Sequence, residues 1–501
     1  MGETRQHATG ATAEAAPDLR GPRIAVVGGG IAGLAAAVRL RDLAPAGTTI
    51  TVYEQSGALG GKLRTGSLAG STVEFGAESF LVRDPAGGDS AAVALARRVG
   101  LGDTLVHPAV GRAALVLDGR LRPMPPGTLV GVPRDPTEVA EVVRVDATRD
   151  RDDGHPVLGP DEDPTVGALV RRRLGDEVVD RLVDPMLGGV YAGRADELSL
   201  AATMPGLARA ARTERTLTGA VRAAQAAAPR PPGQPVFATV PGGLSRLVAA
   251  AAETSGAQIR LNATVRELAP TPTGWRLVIG PTRDPELVEA DAVVLALPAR
   301  PAARLLTGVD VAAAALVGRL DYASVALVTM ALPALPTLPD ALTEYSGFLV
   351  PATEGTLVKA ATFFTTKWAH LRRPDGPVLV RASIGRYGEE HLLQRADDEL
   401  VAVVHRELAT LLGGRRPDGG PSAGRLPAPL ASHVQRWGGA LPQYPPGHPD
   451  RVAAARAALR VAHPTLALAG AGYDGVGIPV CVRSGETAAE EIIKVLGVSR
   501  P

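Results

Sequence analysis

The chain has 501 residues, of which 45% are hydrophobic and 21% charged, and its formal net charge is +1. That length exceeds one ordinary core, and the near-neutral balance excludes the basic surface of a nucleic-acid binder, so an enzyme of several domains acting on a small molecule is expected. The single cysteine, Cys481, excludes an intramolecular disulfide framework and any cysteine-cluster metal site, and fits a reducing, cytoplasmic setting.

Residues 1–20 are polar and small with charges of both signs, and read as a disordered tail without a secretory signal. No run of about 18 apolar residues free of charge and proline is present to span a membrane. From Arg23 the chain reads RIAVV, GGGIAG, LAAAVRLRDL and TTITVYE, which is a buried strand, a glycine turn, a helix and a second strand. Further on, PGGLSRLVAAAAE predicts a helix from about Leu244. DAVVLALP predicts a strand buried on both faces, Thr465 to Gly470 another, and Ser484 to Leu496 a closing helix.

Two inserts interrupt these pieces. One is rich in helical stretches such as VGALVRRRLGDEVVDRLV, and the other in strand-like runs such as ASVALVTMAL and GPVLVRASIG. The expected fold combines α/β and α+β parts. Residues 21–105, 236–304 and 431–501 would form a discontinuous Rossmann-like cofactor domain, 106–130 and 305–430 a sheet-based substrate domain, and 131–235 a helical lobe.

Gly28, Gly30 and Gly33 follow the first strand and open the first helix in the pattern G-x-G-x-x-G, with Gly29, Ile31 and Ala32 between and after them. The first glycine allows the tight turn, the second lets a pyrophosphate approach the backbone, and the third permits close packing of helix on strand. The phosphates then meet the free N–H groups of a helix N-terminus. Glu54, followed by Gln55, ends the second strand where an acid accepts ribose hydroxyls, and a carboxylate there disfavours a 2′-phosphate. Shortly after it come Gly60, Gly61, Lys62 and Arg64; this second glycine pair resembles the extended FAD motif of the amine oxidase and desaturase superfamily, and selects FAD over a nicotinamide.

Eight segments in order carry a more specific resemblance: GGKLRT at Gly60, EFGAESFLVRDP at Glu74, GGVYAGRADELSL at Gly188, PGGLSRL at Pro241, GFLVP at Gly347, VKAATFFTTKW at Val358, RWGGALPQYPPGH at Arg436 and GYDGVGIPVCVRSG at Gly472. Together they resemble the protoporphyrinogen and coproporphyrinogen oxidases of haem synthesis. The soluble type of Gram-positive bacteria, acting on coproporphyrinogen III, is the most similar. The resemblance implies non-covalent FAD held by Gly28 to Gly33, Glu54, Gln55, Gly61, Lys62, Gly76, Ala77, Glu78, Ser79, Val265, Trp437, Val476, Gly477 and Ile478. Pro479 suits a first helical position, so a helix would start beside Gly477 and point its positive end at the flavin.

A porphyrinogen is a broad apolar macrocycle rimmed by propionates, which calls for an aliphatic site with a few cations. Arg83 is the first candidate cation, with Lys359, Lys367 and Arg381 behind it. Gly189 would let the macrocycle pass close to the backbone, and Leu349 and Phe363 would hold its face. The resemblance further implies hydride transfer to the flavin with loss of a pyrrole proton, repeated until six electrons have left, and reoxidation by oxygen to hydrogen peroxide. No catalytic side chain and no metal ligand is assigned. Cys481 reads as a buried, inert thiol, and His370, His433 and His448 as packing or surface residues.

Coproporphyrinogen and protoporphyrinogen differ only at the rim, and both remain open as substrates. An amine oxidase or a desaturase would share the first glycine turn, but amine oxidases carry glutamate where Ala471 follows Gly470. A non-catalytic protein of the same fold has no need of both the second glycine pair and the flavin-side residues. A transient haem-pathway enzyme partner is compatible with the resemblance.

Overall fold

The computed structural model describes residues 21–85, 87–229, 233–334, 339–413 and 426–497; the expected tail at 1–20 lies outside them. Strand Arg23–Val27 is the centre of a five-stranded parallel sheet. It pairs with Thr49–Tyr53 on one side and Ala292–Leu295 on the other, and Gln258–Arg260 and Leu466–Leu468 form the edges. Ile24, Val26, Ile50, Val52 and Val294 turn to one face, under helices Ile31–Leu43 and Ile478–Leu496. Ala25, Val27, Tyr53, Val293 and Leu295 turn to the other, under the antiparallel meander Val265–Thr271, Gly274–Ile279 and Glu286–Ala290 and the helix His448–Ala462. Both faces are covered, which is why these strands read as continuous apolar runs rather than as alternating ones.

The two helices on the first face cross at small residues. A Cβ on Gly485 would overlap the Ala32 carbonyl and come within 3.0 Å of the Ala36 nitrogen. This approach brings the beginnings of both helices to the carboxyl ends of the strands, where open α/β sheets bind ligands.

A second sheet of seven strands has the order Ala431–Pro442, Tyr322–Leu332, Val378–Ile384, Val358–Phe363, Gly347–Leu349, Ala114–Leu117 and Arg120–Pro123. Ala114, Val116, Phe348, Val380 and Ala382 face a core completed by Leu400, Val404 and Leu408 of helix Asp397–Leu412. Leu115 and Leu117 point the other way, into the helical lobe, whose core includes Leu169, Val170, Leu182, Leu207 and Val221. The lobe helices are capped as their sequence suggests, with Thr165, Ser199 and Thr216 accepting from Ala168, Ala202 and Gly219 N–H. One sequence boundary moves: Ala431–Pro442, expected with the cofactor domain, pairs along its length with Tyr322–Leu332 and belongs to the seven-stranded sheet.

Candidate functional site

At the end of the first strand Gly28 takes φ +109° and its N–H donates to the Tyr53 carbonyl at 2.8 Å. The next N–H, of Gly29, donates to Glu54 Oε2 at 2.8 Å, while the other carboxylate oxygen accepts from Ser56 N–H at 2.8 Å. Glu54 is thus fixed by the turn it was expected to serve. Gly30 caps helix Ile31–Leu43 with no side-chain partner and no acid in the first turn, and nothing lies within 4 Å of the place its Cβ would occupy. The helix N-terminus therefore opens onto free space at Gly30, where an anion could approach it. Gly33, by contrast, is packed so closely that a Cβ would overlap the Gly28 carbonyl oxygen.

The second glycine pair lies alongside the first turn. Gly60 N–H donates to the Gly29 carbonyl at 2.8 Å, and a Cβ on Gly61 would be 3.4 Å from Gly30 Cα. Asn262 and Ala263 N–H donate to the Ser56 and Glu54 carbonyls at 3.0 and 2.8 Å, which brings the half-buried Val265 to the same end of the sheet; Gln55 is exposed beside it. Ile31 and Ala32 are buried in the helix, so their backbones rather than their side chains face the turn.

Further along, Ala77 N–H donates to the Lys62 carbonyl at 3.0 Å. Trp437 Nε1 donates to the Phe75 carbonyl at 2.8 Å, and its ring edge would be 3.3 Å from a Cβ on Gly76. Val476, Gly477 and Ile478 begin the closing helix, with Gly477 exposed. That turn is tied down by Ser484 Oγ, which accepts Gly470 N–H at 2.8 Å and donates to Asp474, itself gripped by Arg456 through two bonds of 2.7 Å. Asp474 and Ser484 lie within the segment GYDGVGIPVCVRSG, but their bracing of the turn, like that of Arg456, is a side-chain pairing that the sequence does not display.

Lys62 is close enough to the Cys481 thiol for the two to influence each other. Burial pushes the ammonium below its ordinary value and the thiol up to about 11, so Cys481 is protonated at neutral pH. Among the described residues Lys62 has no carboxylate within ion-pair distance.

Glu78 and Ser79 lie half-buried at the boundary with the seven-stranded sheet, and here the structure goes beyond the sequence reading. The Glu78 carboxylate pairs with Lys367 through one oxygen and with Arg381 at 3.1 Å through the other. Arg381 also donates to the carbonyls of Glu74 at 3.0 Å and Gly76 at 2.7 Å. Burial pushes the Glu78 carboxyl up, but the two cations outweigh it and hold it below the usual range. Lys367 and Arg381, considered as substrate cations, are instead committed to clamping the Gly76–Ser79 segment onto the sheet.

The remaining substrate candidates separate. Arg83 is half-buried and donates to Gln234 Oε1 at 3.2 Å. Gly189 is exposed near the end of helix Asp184–Tyr191, and a Cβ there would be 3.1 Å from Leu349 Cδ2. Gly189 and Leu349 are thus neighbours across the seam between lobe and sheet. Phe363 is a correction: it is fully buried in the core on the opposite side of the sheet, edge-on to Phe348 at 5.9 Å, and offers no face to a ligand. Alternation along the strand decides this, and VKAATFF does not say which parity faces the lobe. His433 stacks on Phe75 at 4.0 Å and His448 on Tyr444 at 4.5 Å, as packing residues do. No cluster suited to a metal occurs among the described residues.

A glycine turn at a parallel-sheet switch, an acid at the second strand, a second glycine pair and a converging helix start define the cradle of a dinucleotide-binding flavoprotein built onto a second sheet. The family described as flavin containing amine oxidoreductases matches residues 31–493, and the chain belongs to it. It is an FAD-dependent oxidoreductase. A coproporphyrinogen III oxidase of Mycobacterium tuberculosis is 37% identical over 479 residues, covering 94% of this chain and 97% of that protein. One from Bacillus subtilis is 29% identical over 94% of this chain and 98% of its own. A crystal structure from Exiguobacterium, provisionally named a protoporphyrinogen oxidase, superposes with a TM-score of 0.77 at 30% identity, covering 94% of this chain and 98% of that one.

Proposed function

We propose that the chain oxidises coproporphyrinogen III to coproporphyrin III in haem synthesis, with oxygen as acceptor and hydrogen peroxide as product. The observation that carries this reading is the end-to-end match to relatives named coproporphyrinogen III oxidase. Bound FAD would supply the hydride acceptor that none of the twenty side chains can provide. The residues present suit it: the open helix start at Gly30 for the pyrophosphate, Glu54 for the ribose, and Gly76 to Ser79, Trp437 and Val476 to Ile478 around the ring.

In this reading the seven-stranded sheet and the helical lobe form the substrate side. Leu349 and Gly189 provide an apolar wall against which the macrocycle lies, and Arg83 a cation for its rim. Arg381 and Glu78 keep the Gly76–Ser79 segment in register with that wall, so that the methylene bridge to be oxidised is presented at a fixed distance from the cofactor. Lys62 places a positive charge where the cradle gains electrons. Among the described residues no helix is long and apolar enough to cross a membrane. A cytoplasmic location and a transient haem-pathway partner accord with the reading.

The test is direct. Purified protein carrying FAD is mixed in air with coproporphyrinogen III or protoporphyrinogen IX, and porphyrin fluorescence and peroxide are followed together. Faster turnover of the first, with three peroxides per porphyrin, is expected. Oxidation of neither substrate overturns the reading, and oxidation without peroxide overturns the choice of oxygen.

A further inference from the structure

We propose that Lys359 is the receptor for one carboxylate of the substrate, a site formed at the seam between the seven-stranded sheet and the helical lobe. The proposal rests on the tetrapyrrole reading above.

Lys359 sits at an irregularity. Val358 lies opposite Ile384, but Ala360 lies opposite Ser383, so Lys359 is the extra residue of a β-bulge. A bulge of this kind re-aims a side chain. Here it sends the ammonium toward the helical lobe, where it donates to the Gly188 carbonyl at 3.3 Å. The adjoining pair, Ala360 opposite Leu349, continues the stretch of wall on which Gly189 lies.

The ammonium is poorly served there. Lys359 is only 4% exposed, yet its three donors have one long acceptor, and that carbonyl already receives Ala192 N–H at 3.0 Å. No carboxylate lies within ion-pair distance of it among the described residues. The charged groups close by are Arg386, of like sign, and Glu389, which pairs with Arg386 at 3.8 Å. Burial, reinforced by Arg386, pushes the Lys359 pKa down to about 7. An uncompensated buried ammonium is unfavourable, so a purely structural position would favour an apolar residue.

What distinguishes this lysine is its neighbour. Gly188 is followed by Gly189 and Val190, both exposed, so the seam opens one residue from the ammonium. A propionate entering over Gly189 would supply the missing negative charge and two acceptors. The other cations weighed from the sequence differ: Lys367 and Arg381 are each paired with Glu78, and Arg83 bonds Gln234.

The competing explanation is that Lys359 merely caps the end of helix Asp184–Tyr191, and the two are separable. FAD-loaded wild type, Lys359→Met and Lys359→Gln are titrated with coproporphyrin III and with its tetramethyl ester, following fluorescence quenching, and KM and kcat are measured with coproporphyrinogen III. Charge-assisted pairing predicts that both variants bind the free acid about tenfold to a hundredfold more weakly, with the loss in KM rather than kcat. The ester should bind all three proteins alike. Wild-type affinity for the acid in either variant overturns the proposal, as does an equal loss for acid and ester, which would mark a structural role. A wild-type holoenzyme that neither binds nor oxidises the tetracarboxylate would be a different failure, that of the functional reading.

Discussion

The two seams of the seven-stranded sheet treat buried cations in opposite ways. Where the sheet meets the cofactor region, Lys367 and Arg381 share the Glu78 carboxylate, and Arg381 also takes two backbone carbonyls. Where it meets the helical lobe, Lys359 is more deeply buried and has a single long acceptor. A cation that the protein pairs with its own carboxylate fixes two parts of the structure relative to each other. One that it leaves uncompensated raises the free energy of the empty protein and makes an anionic ligand the stabilising partner.

The largest expected effect comes from breaking the first seam. Arg381→Ala strips the Glu74 and Gly76 carbonyls and leaves Glu78 only one cation, so the holoenzyme should lose about 3 to 5 kcal/mol in urea denaturation and release FAD more readily. Loss under about 1 kcal/mol would mean that the clamp is dispensable. Next, a double-mutant cycle of Glu78→Gln with Lys367→Met should show a coupling of roughly 0.5 to 3 kcal/mol, whereas additive effects would show that the pair is not energetically joined.

Acid sharpens the same contrast. Because the folded-state pKa of Glu78 is held below its ordinary 4.5, its contribution to stability is present above that value and disappears as pH falls through the depressed pKa. Melting temperatures recorded from neutral pH downward should fall less steeply below pH 4.5 in Glu78→Gln than in the wild type. Parallel curves would remove Glu78 from the acid response. The smallest change is expected at the other seam. Without ligand, Lys359→Met should melt within about 1 kcal/mol of the wild type or slightly above it, and a loss as large as that of Arg381→Ala would erase the distinction between the seams.

What could be read from the sequence follows the range of the forces involved. The turn at Gly28 to Gly33 was legible because its geometry is decided by neighbours in the chain and by the absence of side chains. The Glu78–Lys367 pair joins residues 289 positions apart, and neither segment carries a mark of the other. Phe363 was misplaced by a question of strand parity, and the direction of Lys359 was not legible because a bulge changes that parity in a way that composition does not reveal. The strand Ala431–Pro442 was assigned to the wrong neighbour for a related reason: an extended run announces itself, but not the sheet it will join. The resemblance to the haem-pathway oxidases identified the cofactor and chemistry without resolving any of these three.

The crossing of helix Ile478–Leu496 over helix Ile31–Leu43 at Gly485 has a consequence for how the protein is made. The glycine turn leaves the ribosome well ahead of its partners: the strand Leu466–Leu468 and the helix start that complete its cradle are translated more than four hundred residues later. At about 5 to 20 residues per second, the nascent first helix spends some tens of seconds with its alanine face uncovered. Cofactor capture is therefore a late event of biosynthesis, and a chain truncated before Gly485 would leave the turn present and the cradle unmade.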